Sequence, residues 1–95
     1  MNPTIDTLIK NIQLFQLFKE VYLFGSVIQN KEFPNDIDLL LVYDKYSSEI
    51  QSEKDYIYSF LKKILNLHVD LTILSQEELL ETKLLVKIGN FERLK

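Results

Sequence analysis

Two short apolar runs separated by a polar loop constrain this chain more than any other stretch. They lie in VYLFGSVIQNKEFPNDIDLLLVYD, residues 21–44. The first run, Val21 to Phe24, ends at Gly25-Ser26. The second opens with Asp36-Ile37-Asp38 and continues through three leucines to Val42 and Tyr43. Both are short, partly β-branched or aromatic, and bounded by turn residues, which predicts two strands. Successive strand side chains point to opposite faces, so Asp36 and Asp38 point the same way. Two carboxylates at the head of an apolar strand are costly unless a positive charge sits between them. A hard divalent cation such as Mg²⁺ suits that place. It takes oxygen ligands, often one or two carboxylates, with phosphate and water filling the rest.

Gly25-Ser26 stands just ahead of the acidic pair. A glycine lets the backbone approach a ligand closely, because it has no Cβ. The serine adds a hydroxyl beside an exposed N–H, which suits a phosphate. Taken singly, Gly-Ser is a common turn and Asp-x-Asp a common solvated strand end. Their order, with both on strand ends, points to a phosphate contact beside a metal site.

The stretch resembles the signature of the minimal nucleotidyltransferases of the DNA polymerase β superfamily. That signature is a strand ending in Gly-Ser, a loop, then Asp-x-Asp on the next strand. Here nine residues separate Ser26 from Asp36. The family adds a third carboxylate on a later strand, and Asp70 in LHVDLTILS is its counterpart here. These pieces span Val21 to Ser75. Family members often carry Arg and a second Gly soon after the Gly-Ser. This chain has Val27-Ile28-Gln29-Asn30-Lys31 instead, with Lys31 the one cation of the loop.

The resemblance implies a small α/β domain, a single mixed sheet packed with helices, as in the polymerase β nucleotidyltransferase core. It implies attack of a hydroxyl on the α-phosphate of a nucleoside triphosphate, ATP by family precedent, with loss of pyrophosphate. Asp36, Asp38 and Asp70 would be the catalytic and metal-binding residues, holding two Mg²⁺ ions for which Mn²⁺ can substitute. Gly25, Ser26 and Lys31 would bind the nucleotide. Larger relatives add a helical domain for base and acceptor, and a chain this short has no room for one. Many minimal members are antitoxins of an α-helical HEPN-type RNase toxin, and some adenylylate the toxin on tyrosine. The expected function is therefore transfer of AMP to a partner protein. Two alternatives stand beside it: a weak or idle site on a module that sequesters its partner, and a transferase for a small hydroxylated molecule such as an aminoglycoside.

Composition sets the outer limits. Ninety-five residues suggest one domain, 1–95. Such a chain buries about 60–65% of its unfolded surface, which gives modest stability alone. Hydrophobic residues make up 46% and aromatics 12%, enough for a core and against disorder. The net charge of −3, with no basic run, argues against nucleic acid as the main partner. The absence of cysteine excludes disulfides and thiolate metal sites and fits a cytoplasmic setting. Asp6 interrupts the N-terminal stretch, so no secretory signal is expected, and no apolar run is long enough for a bilayer.

Along the chain, Asn2 and Pro3 predict a helix start. Ile5, Leu8, Ile9, Ile12 and Phe15 recur at helical spacing as a core-facing stripe. Leu14 and Leu17 fall on the opposite side of a continuous helix, with Phe18 between, which predicts either a helix buried on all sides or an apolar surface for a partner or a second copy of the chain. Ser48 with Gln51 has capping-box spacing before a second helix ending near Leu65, closed by Asn66. Its stripe is Ile50, Ile57, Leu61 and Ile64, and Lys62 and Lys63 suit its C-terminus. Tyr56 and Tyr58 are expected at the rim. A third strand is predicted over Leu67 to Leu74. Ser75 with Glu78 forms another capping box, opening a helix that Gly89-Asn90 stops. A short last strand can follow over Phe91 to Leu94. The single histidine, His68, shares a strand face with Asp70 and Thr72, and is expected to be structural rather than a ligand. Asp44, Glu53 and Asp55 are read as solvated.

Overall fold

Strand β2, Asp36–Tyr43, is apolar on both sides beyond Asp38, and it lies inside the sheet. It pairs antiparallel with β1, Glu20–Phe24, and parallel with β3, His68–Ser75. A fourth strand, β4, Phe91–Arg93, pairs antiparallel with β1, so the order is β3-β2-β1-β4. The computed structural model describes residues 3–25 and 36–95. A parallel pair needs a crossover. Helix α2, Glu49–Leu65, supplies it between β2 and β3.

One face of the sheet carries Val21, Leu23, Ile37, Leu39, Leu41 and Val69, all buried. Helix α1, Pro3–Lys10, contributes Leu8 to this core, and α2 contributes Ile50, Ile57 and Leu61. The other face carries Tyr22, Leu40 and Val42, covered by Leu79 of α3, Gln76–Thr82. Leu84 and Leu85 of α4, Leu84–Ile88, pack there too. These two short helices cover only the far part of the face. The strand ends bearing Asp36, Asp38 and Asp70 lie outside that apolar cluster.

The first helix departs from the periodic expectation. It stops at Lys10, and a 3₁₀ turn, Ile12–Phe15, follows. The Asn11 side-chain amide donates to the Thr7 carbonyl at 2.8 Å, bonding back to the preceding turn as such residues do. The break rotates everything beyond it. Phe15 and Phe18 are buried, Leu14 packs on the core, Leu17 is 38% exposed and Ile9 is 51% exposed. Leu14 thus does not belong to an outward face, nor Ile9 to the core stripe. The second helix also loses one stripe member, since Ile64 is exposed in its last turn.

The two capping boxes separate clearly. Ser75 accepts from the Glu78 N–H at 3.0 Å, and the Glu78 carboxylate accepts from the Ser75 N–H at 3.0 Å. Ser48 makes no such bond, because its own backbone is already helical, at φ −62° and ψ −17°. Ser47 does part of that work, its Oγ accepting from the Glu49 N–H at 3.2 Å. The predicted third helix is two helices, divided at Lys83, which sits at φ +53°. Gly89 and Asn66 end their helices with positive φ, as their residue types suggest.

Candidate active site

Parallel pairing brings the acidic residues together. Asp38 lies directly opposite Asp70, and Asp36 opposite His68. Side chains opposite one another in a sheet share a face. Asp36, Asp38, His68 and Asp70 therefore form a two-by-two patch at one end of β2 and β3. Asp36 and Asp38 are half-buried, whereas His68 and Asp70 are exposed on the edge strand.

Asp38 is the strained member. Burial, then the neighbouring charges of Asp70 and Asp36, push its carboxyl above the ordinary value. A hydrogen bond to the Asp70 carboxyl acts the same way, and His68 opposes weakly. His68 Nε2 lies 3.2 Å from Asp70 Oδ1. The shared strand face expected from the sequence is present, and this histidine is an exposed neighbour of the carboxylates. His68 and Asp70 are two apart on one strand, the spacing that gave them a common face in the sequence.

Gly25 closes the patch from the side of β1. It has φ +83°, a conformation costly for any side chain. A Cβ built on it would fall 2.1 Å from Asp38 Oδ2. The main chain at the end of β1 is thus packed against the Asp38 carboxylate, a contact only glycine permits. Ser26 and Lys31, the other two residues expected at the nucleotide, lie outside the described residues.

Among the described residues, no group of three His, Cys, Asp or Glu side chains is gathered as a ready-made metal cage. The donor set does suit a hard cation held in part by other oxygens. Carboxylates that repel one another invite a divalent ion, and Mg²⁺ is commonly held by one or two carboxylates with phosphate and water completing its shell.

A separate groove of about 410 Å³ lies at the opposite end of the same sheet face, between Tyr22, Leu79, Leu80, Leu85 and Val86. It is largely apolar and includes none of the acidic patch. At its edge Glu20 accepts from the Tyr22 hydroxyl and from the Gln76 amide, the latter at 3.3 Å. The Tyr22 bond first, opposed by burial and aided by the Gln76 bond and the charges of Arg93 and Lys19, holds the Glu20 carboxyl below its usual value. No helix of the described residues is long and apolar enough to cross a membrane.

A family model described as "Nucleotidyltransferase domain" matches residues 5–95. Among the solved structures similar to the chain, two mutants of one pair share the fold. One is a mutant of the toxin–antitoxin complex MntA–HpeT in which two aspartates two positions apart are glutamates. It is 20% identical, with a TM-score of 0.61, over 90% of this chain and 70% of that one. The other is a Tyr-to-Ala mutant of the same complex. It is 22% identical, with a TM-score of 0.57, over 87% of this chain and 68% of that one. No curated protein sequence matches the chain.

Proposed function

We propose, on the premise that the chain belongs to the nucleotidyltransferase domain family, that it transfers AMP from ATP to a hydroxyl of a partner protein. The observation that carries the reading is the pairing of Asp38 with Asp70 across β2 and β3, with the Gly25 backbone packed on Asp38. The partner we propose is a helical toxin of the HEPN type, with this chain as its antitoxin. In support, two solved structures that share its fold are mutants of one toxin–antitoxin pair, MntA–HpeT.

In this reading Asp36, Asp38 and Asp70 hold Mg²⁺ together with phosphate oxygens and water. The ion would neutralise triphosphate charge and make the acceptor hydroxyl more acidic. Asp38, half-buried and crowded by acids, is fixed in place by β2 and by Gly25. Asp70 faces solvent and is the carboxylate that an incoming acceptor meets first. Its neighbour His68 restrains one of its oxygens. The backbone after Gly25, with Ser26 and Lys31, would hold the phosphates. The acceptor oxygen bonds to the α-phosphorus, the α–β anhydride breaks, and pyrophosphate leaves with the bonding electrons. The hydroxyl proton passes through Asp70 to solvent.

The test is incubation with ATP labelled at the α-phosphate, Mg²⁺ and a HEPN-type toxin. Label on the toxin, lost in Asp38→Asn, is the expected result. Toxin inhibition without label would overturn transfer in favour of sequestration. Label on an aminoglycoside and none on the toxin would make the chain a small-molecule transferase.

A further inference from the structure

We infer that the outer edge of β3, which no described residue pairs with, is the acceptor dock: an extended, hydroxyl-bearing polypeptide segment adds there as a further strand and so brings its hydroxyl to Asp70. The inference rests on the proposed transferase reading and specifies how that site takes its protein substrate.

The two edges of the sheet differ. β4 is three residues long, lies at the surface, and carries Glu92 and Arg93. Short length and charge are the usual means of blunting an edge. β3 is eight residues long and contains neither Lys nor Pro. Among the described residues it pairs only with β2. Its one acidic residue, Asp70, and His68 are confined to the end that forms the acidic patch. The remainder, Leu71 to Ser75, carries no charge. Long, uncharged edges of this kind are templates for strand addition.

Register gives the edge its chemistry. β2 and β3 place Asp38 and Asp70 side by side on one face. An added strand would lie about 4.8 Å beyond β3, continuing the same row. A Ser or Thr opposite Asp70 would have its Cβ about 5 Å away, and diagonal positions at about 7–8 Å are within reach of a tyrosine. Backbone bonds to β3 would supply the affinity. The acidic patch would favour a segment with basic residues beside the hydroxyl. The transfer remains as written above: a hydroxyl and ATP give the adenylylated side chain, pyrophosphate and a proton.

The test uses an eight-residue peptide of alternating Val and Lys with a central Tyr. Two further versions are N-methylated on one or the other set of alternate amides, so that only one version blocks the bonding edge. Transfer from α-labelled ATP and hydrogen exchange at His68–Ser75 are both read. The expected result is labelling of the parent peptide, at least a tenfold loss in one N-methylated version only, and slowed exchange in β3 when peptide is present. Equal labelling of all three, or unchanged exchange in β3, overturns the inference. If free tyrosine is labelled and the peptides are not, the edge dock falls and the transferase stands. If no acceptor is labelled, the transferase reading falls, and exchange with peptide and an Mg²⁺-bound non-hydrolysable ATP analogue still decides the edge. Protection of β3 without peptide, together with a dimer in sedimentation, would give the edge to a second copy and overturn the dock.

Discussion

Gly25→Ala tests the contact that encloses the candidate site, and Gly89→Ala is its internal control. Both glycines have positive φ, +83° and +81°. A non-glycine residue held in such a conformation costs about 1–3 kcal/mol. In a domain of this size each kcal/mol lowers Tm by about 4–8 °C. Both variants should therefore melt at least about 4 °C below the parent. They differ in what the new methyl group meets. At Gly89 nothing lies within 4 Å, whereas at Gly25 the Cβ falls 2.1 Å from Asp38 Oδ2 and 3.0 Å from its Cγ. The Asp38 carboxylate must turn away, because the end of a side chain yields before the strand does. Gly25→Ala should then weaken binding of a non-hydrolysable ATP analogue with Mg²⁺ by at least tenfold, about 1.4 kcal/mol. Gly89→Ala should leave that affinity unchanged. Circular dichroism melts and isothermal titration measure the two effects. Equal affinity in Gly25→Ala and the parent would refute the role given to this contact.

Three further outcomes follow from the fold. Ser75→Ala should cost about 0.5–2 kcal/mol through its lost cap, while Ser48→Ala should be close to neutral, as chemical denaturation would show. Leu14→Glu should destabilise by about 1–3 kcal/mol, because Leu14 packs on the core, whereas Leu17→Glu should stay within about 0.5 kcal/mol; equal losses would mean a different path for the chain after Asn11. The depressed Glu20 carboxyl contributes stability that is present above the unfolded carboxylate value and lost as pH falls through the folded one. Melts of the parent and Glu20→Gln should accordingly converge as pH is lowered from 7 to 3, and a constant gap would contradict the assignment.

Local patterns carried much of the fold. Asp36–Tyr43 reads as a strand because its alternation of acid and apolar residues gives way to a continuous apolar run. The structure places it inside the sheet. The terminal strand is legible from the glycine stop before it. The juxtaposition of Asp38 with Asp70 is a matter of register, and a sequence shows the two strands but not their offset. The closeness of Gly25 to Asp38 is equally invisible until β1 and β2 are paired. The misreadings share a cause. A 100° periodicity assumes an unbroken helix, yet Asn11 bonds back to Thr7 and ends α1 early. Lys83 adopts positive φ within a stretch that reads as one continuous helix.

The central claim is that Asp36 and Asp38 help to hold an Mg²⁺-bound nucleotide, and thermal melting tests it most directly. The parent is melted with Mg²⁺ and a non-hydrolysable ATP analogue at about 100 times its Kd, beside Asp36→Asn combined with Asp38→Asn. Ligand binding to the native state alone at that excess is worth about 2.7 kcal/mol. At about 4–8 °C per kcal/mol, the parent should melt about 10 °C higher or more. The double variant should show no rise, and its ligand-free Tm should equal or exceed the parent's, because the mutual repulsion of the acids is gone. An unchanged parent Tm, or the same rise in both proteins, would contradict the account.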